Sequence, residues 1–194
     1  DYKTKVTLET FWGDPDGETA CTDGKHIRQN LNCGLVTGYE DLYSAYLAQL
    51  GLPFHECAHI IYHDFNSDRK VSSELEAGML TGDMPEGEPD ELDEFEQALA
   101  NERTRAIFIR IYNDLVNIII DPHDENKLIS RYGGLVEQAI TVLRTSLERS
   151  LTPLEDVLQT DHDKLSTIYS LILQYARFGE IICRDPSKVR DTEE

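Results

Sequence analysis

His55-Glu56-Cys57-Ala58-His59, preceded by Pro53-Phe54 and followed by Ile60-Ile61-Tyr62, is the stretch on which the reading of this chain turns. Residues i and i+4 share one face of a helix. On a helix, His55 and His59 can therefore present two imidazoles to one zinc ion, with Glu56 beside the ligand pair as a general base for water. Pro53 suits the first turn of such a helix. The apolar residues after His59 give it a face to bury, and the helix is expected to run to about Asp64.

A third ligand must come from elsewhere. His63 continues the four-residue series, but eight residues at ~1.5 Å each put it roughly 12 Å from His55 along the axis. One ion cannot reach both, so His63 reads as a structural, ligand-orienting or substrate-facing residue, and Asp64 as a cap or anchor at the helix end. The apolar helix expected from about Pro89 to Asp121 is more promising. It carries Asn113, Asn117 and Asp121 at four-residue spacing among Ile107, Ile111, Leu115, Ile118 and Ile119. A polar stripe on such a surface costs free energy unless its members are paired or bind something. Glu125 lies four residues beyond Asp121, across Pro122. Either acid can ligate zinc while the other orients an imidazole through its free N–H. Asn117 is a candidate for the substrate backbone or for holding a ligand in place. Donors for a developing oxyanion are sought among Tyr62, Tyr112, His123 and Tyr132.

The flanking pattern places this motif in an α+β, predominantly helical chain with a small N-terminal antiparallel sheet or hairpin. Residues 4–12 alternate as a strand. Glu18 to Cys21 and His26 to Leu31 flank an Asp23-Gly24 turn, and the second of these is the candidate edge strand for pairing with an extended peptide. Helices are expected at 39–51, from Pro53 to about Asp64, at 72–80 with Ser72 as cap, and at 89–121 with a break near Asn101. Pro122 should end or kink the last of these. Further helices are expected at 124–131, 134–149, 153–158 and 162–183, the last beginning at His162. Residues 1–185 read as a single domain and 186–194 as a polar tail.

The 194 residues carry a formal net charge of −19. That balance argues against nucleic acid and anionic lipid as partners, and no apolar run is long enough to span a membrane. The acid concentrates at residues 83–96, which hold eight carboxylates and no base; this reads as a solvated loop and helix start that could cover a cleft. Cys21, Cys33, Cys57 and Cys183 form no close C-x-x-C pair, which fits core thiols in a reducing, cytoplasmic setting.

Beyond the five-residue motif, the chain resembles the gluzincin-type metallopeptidase domains often found upstream of a von Willebrand factor A-like domain. Their pattern is an alanine-threonine-aspartate-glycine hairpin with a following isoleucine and asparagine, the two-histidine helix ending in tyrosine, aspartate and phenylalanine, and a later helix with asparagine, two aliphatics and spaced acids. Here these positions are Ala20, Thr22-Asp23-Gly24, Ile27 and Asn30; His55 to His59 and Tyr62-His63-Asp64-Phe65; and Asn117-Ile118-Ile119, Asp121 and Glu125. Tyr132-Gly133-Gly134 is similar to a tyrosine-proline-glycine in that family. The likeness covers roughly residues 20 to 150. It implies a zincin-like fold, a zinc cofactor, a peptide or protein substrate and a von Willebrand factor A-like partner domain in a longer parent chain. Two departures stand out: Ile120 occupies a position where the family carries glutamate, and Pro122 follows Asp121. The resemblance favours His55, His59 and Asp121 as ligands, with Glu125 orienting an imidazole and Glu56 as base. The alternative it leaves is a degenerate interaction module that has lost turnover.

Overall fold

Among the described residues three short strands form, all before residue 31, and helices occupy most of the rest. We describe the protein from a computed structural model covering residues 5–79, 89–159 and 164–190. Residues 83–88 of the acidic run, and His162, lie outside the described residues. The chain divides into two compact units, Asp1–His63 with Ile118–Glu194, and Asp64–Asn117.

In the first unit, β1 (Thr7–Phe11), β2 (Ala20–Thr22) and β3 (His26–Asn30) form a sheet in the order β1-β3-β2. β2 and β3 are the expected hairpin, antiparallel with Cys21 opposite Arg28. Asp23 builds its turn, its Oδ1 accepting the Lys25 and His26 amides at 2.8 Å each. β1, however, runs parallel to β3, with Thr7 opposite His26 and Phe11 opposite Asn30. The sheet is therefore mixed rather than antiparallel. It also corrects the edge-strand expectation: β3 is central, its main chain is used on both sides, and it has no edge to offer a peptide.

α1 (Gly34–Thr37) leads to α2 (Leu42–Tyr62), a single 21-residue helix with Pro53 inside it. The sequence reading placed a helix start at Pro53. The helix instead runs through because the lost bond is replaced. Proline has no N–H for the Gln49 carbonyl four residues back. The Gln29 side chain, 3% exposed on β3, donates its Nε2–H to that carbonyl at 2.7 Å.

α2 packs against α6 (Gly134–Ser150), and this pairing fixes where the His55 turn sits. Gly51 makes the close approach: a Cβ there would lie 2.6 Å from the Ala139 carbonyl oxygen and 3.0 Å from Leu143 Cβ. Cys33, Val36, Ala48, Leu52 and Leu143 form one apolar cluster, and Ala58, Leu128 and Ile140 another. α7 (Leu154–Gln159), α8 (Lys164–Phe178) and α9 (Ser187–Arg190) follow. The polar tail thus holds one helical turn.

α5 (Glu102–Tyr132) contributes its last fifteen residues to this unit. Pro122 neither ends it nor separates off a helix at 124–131. Pro122, Asp124, Glu125 and Leu128 are all buried, and packing of that face outweighs the roughly 3 kcal/mol an interior proline costs. α5 stops instead at Gly133 and Gly134, whose φ of 52° and 54° suit residues without a Cβ.

The second unit holds α3 (Phe65–Glu76), α4 (Pro89–Ala100) and the start of α5. Asp64 caps α3, accepting the Asn66 and Ser67 amides at 3.1 and 3.3 Å. The helix therefore begins seven residues before the expected cap, Ser72. Asn101 caps α5 through the Arg103 and Thr104 amides at 3.0 and 3.2 Å, which explains the anticipated break. Phe95 and Phe108 pack edge-to-face at 5.3 Å.

Among the described residues no helix is long and apolar enough to cross a membrane. All four cysteines are free. Cys33 is buried, but Cys21 is exposed on β2, so it is not a core thiol.

Candidate metal centre

Four helices supply the site. α2 presents His55 and His59 one turn apart, and α5 presents Asp121, Asp124 and Glu125 on its buried face. α6 and α8 each add one arginine.

Each imidazole is held from behind by its own carboxylate. His55 Nδ1 lies 2.7 Å from Glu125 Oε1, and His59 Nδ1 lies 3.3 Å from Asp124 Oδ2. Both carboxylates are almost fully buried, at 1% and 2% side-chain exposure. They can only accept, so each Nδ1 carries a proton, and in the neutral ring each Nε2 presents a lone pair. The two Nε2 atoms face one another at 3.2 Å. Asp121 Oδ1 completes the group, 3.1 Å from His59 Nε2 and 3.9 Å from His55 Nε2. His55, His59 and Asp121 thus bring three ligand atoms within 4.8 Å of one another.

The three converging atoms repel unless a cation lies between them, either a metal ion or the proton that Asp121 favours on His59. A tetrahedral centre with bonds of ~2.1 Å has ligand atoms ~3.4 Å apart. Two of the three separations fall slightly below that value, and the third is about half an ångström above it. The triad could therefore hold a divalent metal ion. Charge agrees: Glu56, Asp121, Asp124 and Glu125 outnumber the two arginines by two negative charges.

The arginines were not anticipated from the sequence. Arg144 donates Nε–H to Glu125 Oε2 at 2.6 Å and Nη2–H to Asn126 Oδ1 at 3.0 Å. Arg177 donates Nη1–H to Glu125 Oε1 at 2.9 Å, and its Nη2 bonds to Asp121 Oδ2. Burial by itself would raise the Glu125 carboxyl, but the His55 hydrogen bond and the two guanidiniums outweigh it and bring the pKa down to about 2. At His59 burial works toward the neutral ring. The carboxylates of Asp121, Glu56 and Asp124 prevail and hold its pKa above the ordinary histidine value.

Glu56 is 5% exposed, and burial raises its pKa against the opposing pull of His55 and His59. With His55 and Asp121 it lines a cavity of about 180 Å³ that also takes in Glu125, Arg144 and Arg177. Leu35, Leu52, Leu143 and Leu147 supply apolar lining, and Thr19 and Ala20 reach it from the β2 side. β2 is an edge strand in the place β3 was expected to fill. Thr19 O accepts from Asn30 N–H and Asp23 N–H donates to His26 O, so odd-numbered residues face β3. Ala20 and Thr22 therefore direct their main-chain groups outward.

The other sequence candidates fall elsewhere. His63 caps the end of α2, its ring edge-on to His59 at 6.0 Å. Tyr62 and His123 line a separate wide groove with Asn126, Lys127, Ser130 and Arg131, where Lys127 sits over the Tyr62 ring at 5.6 Å. His123 Nδ1 lies 3.0 Å from Asp124 Oδ1, so its ring contacts the carboxylate behind His59 and not the triad itself. Tyr132 is exposed beside Arg131. Tyr112 belongs to the second unit, where its hydroxyl donates to Asp68 at 3.2 Å. Asn113 and Asn117 are exposed, so water satisfies them and the supposed cost of a buried polar stripe does not arise. Asn30 is fully buried and structural: its Oδ1 accepts the Gly13 amide at 2.9 Å and its Nδ2–H donates to the Asp14 carbonyl at 2.8 Å.

Asp124 could have been found from its three-residue spacing to Asp121 on the same helical face. Arg177 interrupts a largely apolar run from Ile168 to Phe178, a local sign that a cation is placed inward, whereas Arg144 lies among Thr141, Thr145 and Ser146 and carries no such sign. No family model, curated protein or solved structure matches this chain.

Proposed function

We propose that this chain is a zinc-dependent metallopeptidase of zincin-like, gluzincin-related type. One observation carries the reading: His55 Nε2, His59 Nε2 and Asp121 Oδ1 converge with tetrahedral-edge spacing while Glu56 lines the adjoining cavity. Imidazole and carboxylate donors in that number suit zinc with one position left open. Bound there, zinc would supply Lewis acidity, polarising a carbonyl and acidifying water.

The residues do the remainder. Asp121 is the third ligand, supported by its Oδ1 facing both Nε2 atoms. Glu125 and Asp124 orient His55 and His59 from the Nδ1 side, and Arg177 holds the second oxygen of Asp121. Glu56 takes a proton from the attacking water and delivers it to the leaving amine as the peptide C–N bond breaks. Burial favours its protonated form, which makes the carboxylate the stronger base. The outward main-chain groups of Ala20 and Thr22 offer an extended peptide two hydrogen-bonding positions, the Ala20 position at the cavity beside the triad. The residue pattern shared with gluzincin-type domains supports the same assignment, and with it a von Willebrand factor A-like partner in a longer parent.

A module without turnover is favoured by a different observation: Arg177 sets a fixed positive charge against Asp121, and Ile120 stands where the family pattern has glutamate. Zinc stoichiometry and peptide-library cleavage separate the two. One zinc per chain, lost in His59→Ala, with cleavage lost but zinc retained in Glu56→Gln, is expected. No zinc under non-chelating conditions, or cleavage that survives Glu56→Gln, refutes the peptidase mechanism. Zinc without cleavage supports the inactive module.

A further inference from the structure

We propose that the free edge of β1 pairs antiparallel with β1 of a second copy of this chain, joining two three-stranded sheets into one continuous sheet. The pairing uses no residue of the metal centre and does not depend on the metallopeptidase reading.

The main chain of β1 is half used. The Thr7 amide donates to the Lys25 carbonyl, and the Phe11 carbonyl accepts from the Leu31 amide. In a parallel ladder this turns the main-chain groups of the odd-numbered residues toward β3. Those of Leu8 and Thr10 therefore face outward. So does the Val6 carbonyl, which lies trans to the Thr7 N–H across their peptide bond. Among the described residues β3 is the one strand that β1 pairs with. A row of outward donors and acceptors on a sheet edge is a template for another strand.

The side chains beside that row are apolar. Leu8 is paired with Ile27 and Thr10 with Gln29, so Val6, Leu8 and Thr10 project on the face that α2 covers over β3. There Ile27 is buried, and Gln29 reaches the main chain of α2. The cover stops short of β1: Val6 and Leu8 are 38% and 53% exposed, and Trp12, just past the strand, is 74% exposed. The apolar face thus extends beyond its own helix.

Charge identifies the occupant as a second copy. The chain carries a formal net charge of −19, yet the stretch from Lys5 to Trp12 holds one base and one acid, Lys5 and Glu9. Both are exposed, and both lie on the face away from α2. When two copies run antiparallel about Thr7, Leu8 stands opposite Val6 of the second copy, and these outward residues exchange main-chain hydrogen bonds. Thr7 faces its own counterpart. Lys5 stands opposite Glu9, twice by the two-fold symmetry. Opposite charges, paired threonines and paired aliphatics across strands each favour the pairing, while like charges oppose it. A shift of two residues either way takes Lys5 off Glu9. The edge used is the one away from β2, so the outward groups of Ala20 and Thr22 stay available in each copy.

Sedimentation equilibrium of the full chain tests this, in about 0.15 M salt, where a screening length of ~8 Å limits repulsion between two acidic chains. The mass is expected to rise from 22.1 kDa toward twice that value with concentration. The interface is small, so the rise should fall at roughly tens of micromolar. Lys5→Glu and Glu9→Lys each convert both charge pairs into like-charge pairs, and each should weaken self-association about tenfold. An equimolar mixture of the two variants should recover it, because each then supplies the charge that the other lacks. Recovery on mixing also separates lost pairing from lost folding, since an unfolded variant would not regain a partner. A single 22.1 kDa species at every concentration, dimers that survive either variant unchanged, or a mixture that stays monomeric would overturn the assignment.

Discussion

Pro53 and Gln29 make a coupled pair whose strength can be measured. Pro53 leaves the Gln49 carbonyl without its helical donor, and Gln29 supplies one at 2.7 Å. Replacing Gln29 with methionine keeps the length and removes the N–H. The carbonyl then has no donor on a half-buried stretch of α2, which should cost about 1–2 kcal/mol, in the lower part of the range for an orphaned polar group. In a Pro53→Ala background the main-chain N–H regained at that position can serve the same carbonyl, so Gln29→Met should cost little. The expected coupling between the two substitutions is about 1 kcal/mol. Equilibrium urea unfolding of the wild type, both single variants and the double variant, followed by far-UV circular dichroism, gives the cycle. Additivity within about 0.3 kcal/mol would show that Gln29 does not stand in for the missing amide, and the account of α2 as one helix through a proline would fail with it.

The salt-bridged centre obeys a similar logic. Glu125→Gln alone, or Arg177→Met alone, leaves an uncompensated charge in a buried network and should destabilise by about 3–5 kcal/mol. The double variant should recover part of that loss, because removing both members of a buried pair costs far less than removing one; no recovery in chemical denaturation would contradict the pairing. Gly51→Ala should destabilise by about 1–3 kcal/mol through overpacking, against less than about 1 kcal/mol gained in helix propensity, since its new methyl would meet the Ala139 carbonyl at 2.6 Å. A variant as stable as the parent would mean that α2 and α6 are not in contact at that turn.

Short-range periodicity carried much of the site. The four-residue steps from His55 to His59 and from Asp121 to Glu125 place side chains on common helical faces, and both pairs meet as those steps require. The same logic misled at Asn113 and Asn117, because a helical stripe says which residues share a face but not whether that face is buried. The prolines misled for a different reason. A local rule prices the lost hydrogen bond, while Gln29, twenty residues before the affected carbonyl, restores it. Whether β3 is an edge or a centre depends on the parallel pairing of β1, a non-local choice that alternation in one strand does not encode. Arg144 and Arg177 lie furthest from legibility: each is a single basic residue whose partners are set by helix packing alone.

That network also bears on the order of folding. Glu125 draws one partner from 70 residues earlier in the chain and others from 19 and 52 residues later. Each contact closes a loop whose entropy must be met before the contact stabilises anything. The polar centre therefore comes together only when α2, α5, α6 and α8 have all docked, and a nascent chain that lacks α8 has Asp121 and Glu125 without Arg177. The ability to organise the triad is in this sense a property of the finished fold, one that no partly folded chain or shorter fragment possesses.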